Sequence, residues 1–135
     1  EIEGLGGTMR LGGQDVQITN GSFAAQLFGA THARERFRHR YEVEPKFIDQ
    51  LTNAGLIFSG RHPEHEIMQM LELPANIHPY FVAGQFHPEL TSRPLSPQPM
   101  FMGLVAAAIS HREGGNQPCH IDARWIASKA TPSTV

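Results

Sequence analysis

The run Phe81-Val82-Ala83-Gly84-Gln85-Phe86, cut short by His87-Pro88-Glu89, constrains the fold more than any other stretch of this chain. A short, nearly unbroken apolar run reads as a strand buried in a parallel sheet, and proline cannot donate to a ladder, so pairing is expected to stop at Pro88. That places His87 at a strand end with an acid two residues on. An imidazole can take a proton from a nucleophile when its second nitrogen is held by an acceptor, and Glu89 is close enough in sequence to be that acceptor. The pair supplies a base and its orienter, but no nucleophile. Read without their surroundings, the same residues also suit a surface turn.

Composition narrows what such a pair can serve. At 135 residues, with 40% hydrophobic and 18% charged side chains, the chain suits one globular domain with a core of its own. A net charge of -2 provides no broad field for nucleic acid or an anionic membrane, so neither is expected as a partner. The longest apolar run, around Met100 to Ile109, is too short to cross a bilayer. One cysteine cannot form an internal disulfide, and no signal-peptide pattern opens the chain, so a cytoplasmic setting is expected.

From the N-terminus, Gly4-Leu5-Gly6-Gly7 lacks the spacing of a phosphate loop, because Met9 stands where a third glycine belongs. Thr8 to Leu11 and Gln14 to Ile18 read as two strands about a Gly12-Gly13 turn. Asn20-Gly21-Ser22 suits the cap of a short helix through Phe23, Gln26 and Leu27 that Gly29 ends.

Arg34, Arg36, Arg38 and Arg40 then alternate with Glu35, Phe37, His39 and Tyr41, which in an extended strand puts all four arginines on one face. Three readings fit: a solvated strand face, a phosphate-binding stripe interrupted by Glu35, Glu42 and Glu44, or a clamp in which a guanidinium fork meets a carboxylate. The residues alone leave these open.

Pro45 suits a first helical turn, and Phe47, Ile48, Leu51 and Ala54 follow at helical spacing up to Gly55. Leu56 to Ser59 and Ile67 to Leu73 read as strands around a polar turn. In that turn His62 and His65 lack the further ligands a zinc site needs, so no metal site is expected. Pro74 to Pro79 reads as a loop. After Pro94, Pro97 and Pro99, a helix from Met100 carries Phe101, Leu104, Val105 and Ala108 on one apolar face. Residues 112–135 read as a linker and disordered tail, with one short helix around Trp125.

Three blocks, in order, carry a resemblance: Gly6-Gly7-Thr8-Met9-Arg10-Leu11-Gly12, Arg38-His39-Arg40-Tyr41-Glu42-Val43, and Gly84-Gln85-Phe86-His87-Pro88-Glu89-Leu90-Thr91-Ser92-Arg93-Pro94. The last resembles the C-terminal signature of class I glutamine amidotransferases, and its Ser92-Arg93-Pro94 continuation, with the other two blocks, is similar to the CTP synthase family. The resemblance implies an α/β fold: residues 1–111 as the second half of a three-layer amidotransferase domain with a mixed sheet. It implies His87 and Glu89 as two members of a Cys-His-Glu triad, with Arg40 holding the substrate L-glutamine. Phe37 departs from a common histidine and Glu44 from the usual asparagine after Val43, which puts the rim of the pocket in question more than Arg40 itself.

The nucleophile of such a triad sits on a glycine-flanked strand-to-helix elbow. No such block is present, and Cys119, in Gln117-Pro118-Cys119-His120, lacks those flanks and is given no catalytic role. The resemblance therefore implies a chain inactive alone. The whole enzyme would pair it with a nucleophile-bearing half and a synthetase domain that uses UTP, ATP and Mg2+, assembled as a homotetramer. Another class I amidotransferase and a non-catalytic interaction module are the alternatives.

Overall fold

A computed structural model describes residues 9–114. The chain runs β1 (Arg10–Ile18), α1 (Phe23–Phe28), β2 (His32–His39), a 3-10 turn (Pro45–Phe47), α2 (Ile48–Asn53), β3 (Ile57–Arg61), β4 (Met68–Glu72), β5 (Val82–Gly84), a second 3-10 turn (Pro88–Leu90) and α3 (Pro99–Arg112). The strands form one five-stranded sheet in the order β2-β1-β3-β4-β5, and all four pairings are antiparallel. Helices with a curled sheet place the chain in the α/β class that was expected. No helix of the described residues is long and apolar enough to cross a membrane.

β1 is a single strand, which corrects the hairpin expected about Gly12-Gly13. Its register with β2 is unbroken from Arg10↔His39 to Gln17↔His32. Gly12 has φ +90°, a left-handed conformation that only glycine adopts cheaply, and it passes through the ladder without turning the chain. The connection to β2 is α1, and its ends are as the sequence announces. The Ser22 hydroxyl accepts from the Ala25 N–H at 3.0 Å, and Gly29 closes the helix at φ 62°. A long-range cap adds to this, because the Glu72 carboxylate accepts from the N–H groups of Phe23 and Ala24 at 2.8 and 2.9 Å. An acid at a helix N-terminus satisfies otherwise orphaned donors, and this one ties α1 to the end of β4.

The Phe81–Phe86 run is also corrected. β5 covers only Val82–Gly84, pairs antiparallel with β4, and leaves Phe81 and Ala83 exposed. An apolar run alone does not distinguish a parallel from an antiparallel partner, and only the last residue of this one is buried. Past Gly84 the chain crosses to the other edge of the sheet, where Phe86 bridges Phe37 of β2. The sheet thus curls until its two edges meet. Inside the curl Val16, Ile18, Ala24, Phe37, Met70 and Phe86 form the core. Phe86 lies edge-on to both Phe37 and Phe28, with centroids 5.9 and 6.3 Å apart.

α3 forms where expected, one residue earlier than Met100, but its apolar face is turned outward. Phe101, Leu104, Val105 and Ile109 are exposed, and the buried positions are Pro99 and Gly103. Gly103 lets α3 approach α1 closely: a Cβ there would meet Leu27 Cδ2 at 2.6 Å and Tyr80 Cε2 at 2.7 Å. The expectations for the Gly4 to Gly7 stretch, the tail and Cys119 lie outside the described residues.

Candidate active site

Local structure places His87 at the seam of the sheet. After Phe86 enters the core, alternation turns the next side chain outward, and the His87 N–H donates to the Arg36 carbonyl at 2.8 Å. Pro88 then starts a 3-10 turn through Leu90, in which the Leu90 N–H returns to the His87 carbonyl at 3.0 Å. This turn brings the Glu89 carboxylate back to the ring. His87 Nδ1 and Glu89 Oε1 are 2.7 Å apart, with side chains 40% and 58% exposed. The Glu89 N–H itself, then the His87 hydrogen bond and charge, hold the Glu89 carboxyl below its ordinary pKa. Glu89 is therefore ionised at neutral pH and able to fix the ring with Nε2 directed away.

The arginine alternation is as the sequence required. Arg34, Arg36, Arg38 and Arg40 are exposed, while Glu35 and Phe37 between them are buried. Arg34 is taken up by Asp15 at 2.9 Å, so it belongs to the solvated face. Arg40 follows β2 directly and is exposed. Its surroundings are fixed from two sides. Gln85 Nε2 donates to the Tyr41 carbonyl at 3.1 Å, and Arg10 Nε donates to Glu42 Oε1 at 2.6 Å. His39 Nε2 lies 3.5 Å from the same Glu42 oxygen, too far for a good hydrogen bond. Because Gln85 is two residues before His87, the structure brings the Arg40 segment and the His87 turn together on one side of the seam. A cavity of about 180 Å³ reaches Val43, Gln69, Gly84 and Gln85 but is lined by none of His87, Glu89 or Arg40. A wider hollow of about 980 Å³, between α2 and the β1–β3 pair, includes none of His87, Glu89 or Arg40.

His62 and His65 sit with ring centroids 4.7 Å apart, but among the described residues no group of three or more His, Cys, Asp or Glu side chains is arranged to hold a metal. What sequence reasoning missed is a buried cluster beneath the turn. Glu35 accepts from the Thr91 hydroxyl at 2.6 Å and from Gln98 Nε2 at 3.1 Å. The signal was present: the alternation that exposes four arginines puts Glu35 on the inward face with Phe37.

With this geometry in view, the comparisons with known proteins are specific. The family model for class I glutamine amidotransferase matches residues 1–107, and the chain belongs to that family. Within it, the chain is 48% identical over 108 residues to the CTP synthase of Bifidobacterium longum, covering 80% of this chain and 20% of that protein. It is 43% identical over 127 residues to the CTP synthase of Rhodococcus jostii, covering 94% and 22%. The solved glutaminase domain of Trypanosoma brucei CTPS with bound acivicin is similar in fold, with a TM-score of 0.70 and 33% identity, over 76% of this chain and 40% of that one. The chain thus spans about a fifth of the length of the curated relatives it matches.

Proposed function

We propose that this chain is the base-bearing part of a CTP synthase glutaminase domain, in which His87 is the general base, Glu89 its orienter and Arg40 the clamp for the carboxylate of L-glutamine. The observation that carries the reading is the 2.7 Å contact between His87 Nδ1 and Glu89 Oε1 at the sheet seam, beside the segment that holds Arg40. A carboxylate on Nδ1 favours the tautomer whose Nε2 accepts a proton, which is what a thiol nucleophile requires.

On this reading a cysteine of the nucleophile-bearing half, which this chain does not supply, attacks the side-chain carbonyl of glutamine after giving its proton to His87. His87 returns that proton to the departing ammonia, and water then releases glutamate from the thioester. The Glu89 charge stabilises the imidazolium formed in between. Arg40, a planar fork, takes the substrate carboxylate through two parallel bonds that a lysine cannot reproduce. The ammonia serves the amination of UTP in a synthetase domain that uses ATP and magnesium, within a cytoplasmic homotetramer.

The test uses the intact protein and two nitrogen sources. His87→Ala abolishes CTP formation from glutamine and leaves formation from added ammonia in place. The isolated 135-residue chain hydrolyses no glutamine. Persistent glutamine use by the variant, or glutaminase activity in the isolated chain that depends on His87, refutes the reading.

A further inference from the structure

Glu35 is 5% exposed, on the inward face of β2 beside Phe37. A carboxyl is buried at little cost only where its oxygens find donors, and here each has one. The donors do not belong to the sheet. Thr91 immediately follows the turn that carries His87 and Glu89, and Gln98 is the cap of α3, where its own side-chain oxygen accepts from the Met100 N–H at 2.7 Å. The Gln98 N–H in turn donates to Ser92 Oγ at 3.2 Å.

The other end of the same turn is held by the next residue of β2, whose carbonyl accepts from the His87 N–H. Consecutive residues therefore pin the turn at both ends, Arg36 through its backbone and Glu35 through its side chain. Between the pins the turn is closed on itself, the N–H groups of Thr91 and Ser92 both reaching the Pro88 carbonyl at 3.2 and 3.0 Å. His87 and Glu89 stand on the outside of this unit and touch each other across solvent-exposed surface. Such a partly exposed pair depends for its geometry on the backbone beneath it.

We propose that Glu35 is the positioning residue of the His87–Glu89 pair, fixing their turn through Thr91 and coupling it to the start of α3 through Gln98. The proposal rests on His87 being the general base, and the variants below separate the two. Thr91→Val removes the hydroxyl with little change of shape, and Thr91→Ser restores it.

In the intact protein, Thr91→Val lowers the glutamine-dependent kcat by about tenfold to a hundredfold, the loss that a misplaced base produces, with little change in the KM for glutamine. Thr91→Ser recovers most of the rate. Ammonia-dependent activity stays at the parent value; the melting temperature falls modestly in Thr91→Val, because one buried Glu35 oxygen loses its donor, and returns in Thr91→Ser. Glu35→Met, which keeps the length of the side chain but removes both acceptor oxygens, gives the same split between nitrogen sources. Equal loss with both nitrogen sources, or an unchanged glutamine-dependent kcat in Thr91→Val, overturns the assignment of Glu35. If instead His87→Ala leaves glutamine use intact, it is the base itself that has been misassigned.

Discussion

Phe37 and Phe86 bridge through their backbones where the two edges of the curled sheet meet, and their rings pack edge-on in the core. Every candidate site residue sits within a few positions of that bridge along one strand or the other. Arg36 and Arg40 flank Phe37 in sequence, and Gln85 and His87 flank Phe86. The placement of His87 relative to the Arg40 segment is thus a consequence of how the sheet closes.

Phe86→Ala tests that dependence. Phe86 is 3% exposed, and emptying a buried phenylalanine site costs about 3–5 kcal/mol of stability. Chemical denaturation should show a loss of that size. Glutamine-dependent activity should fall further than the ammonia-dependent activity, since the seam that carries His87 loses its plug. Equal loss of the two would mean that the bridge supports the fold without setting the site.

Arg40→Ala is expected to raise the glutamine requirement of the intact protein by about tenfold to a hundredfold, the range for losing a bidentate charged contact, while ammonia-dependent CTP formation is retained. Arg40→Lys should recover little, because one ammonium does not replace a fork. Steady-state kinetics with both nitrogen sources decides it. A variant that loses both activities equally would argue that Arg40 supports structure.

The pH dependence of the pair follows from Glu89. Its carboxyl titrates below the ordinary glutamate value, chiefly through its own backbone N–H and secondarily through His87. A lowered folded-state value means that the stabilising contact is fully present above the unfolded pKa and is lost as pH falls through the folded one. The acid therefore stays charged across the neutral range. Carboxyl carbon titration by NMR should place Glu89 below free glutamate, and His87→Ala should raise it only partway, since the larger cause remains. A return to the titration of free glutamate would mean that the ring, and not the backbone, sets the shift.

How legible this was depends on the range of each interaction. The α1 ends, the alternation of β2 and the His87–Glu89 contact were readable because each is decided within a few residues: Ser22 and Gly29 cap a helix by their own chemistry, and an acid two residues past a histidine can reach it. The direction of pairing at Val82–Gly84 and the curl that puts Phe86 on Phe37 were not, because the first depends on how the chain returns to β4 and the second on a partner about fifty residues away. Gly12 misled for a related reason, since a positive φ marks a turn in most sequences and here is absorbed into one long strand. The Phe101, Leu104 and Val105 face of α3 shows the limit of periodicity, which names an apolar face without saying what lies against it. For Glu35 the inward register was visible, but not that Thr91 and Gln98 would meet it.

Gly103 decides which face of α3 is inward, and its replacement has two opposed effects. Alanine in a helix interior is favoured over glycine by about 1 kcal/mol. Against this, the added Cβ would fall 2.6 Å from Leu27 Cδ2 and 2.7 Å from the Tyr80 ring. Leu27 is fully buried, and the Tyr80 hydroxyl donates to the Met100 carbonyl one turn earlier in the same helix, so neither moves freely. Overpacking of this kind costs about 1–3 kcal/mol, which exceeds the propensity gain over most of its range. Gly103→Ala is therefore expected to destabilise modestly, and Gly103→Val, with two more methyl groups and less helix preference than alanine, to destabilise more. Denaturation midpoints of the two variants give the order. A stabilised Gly103→Ala would show that α3 can move away from α1 at no cost, and that the close approach is incidental to the fold.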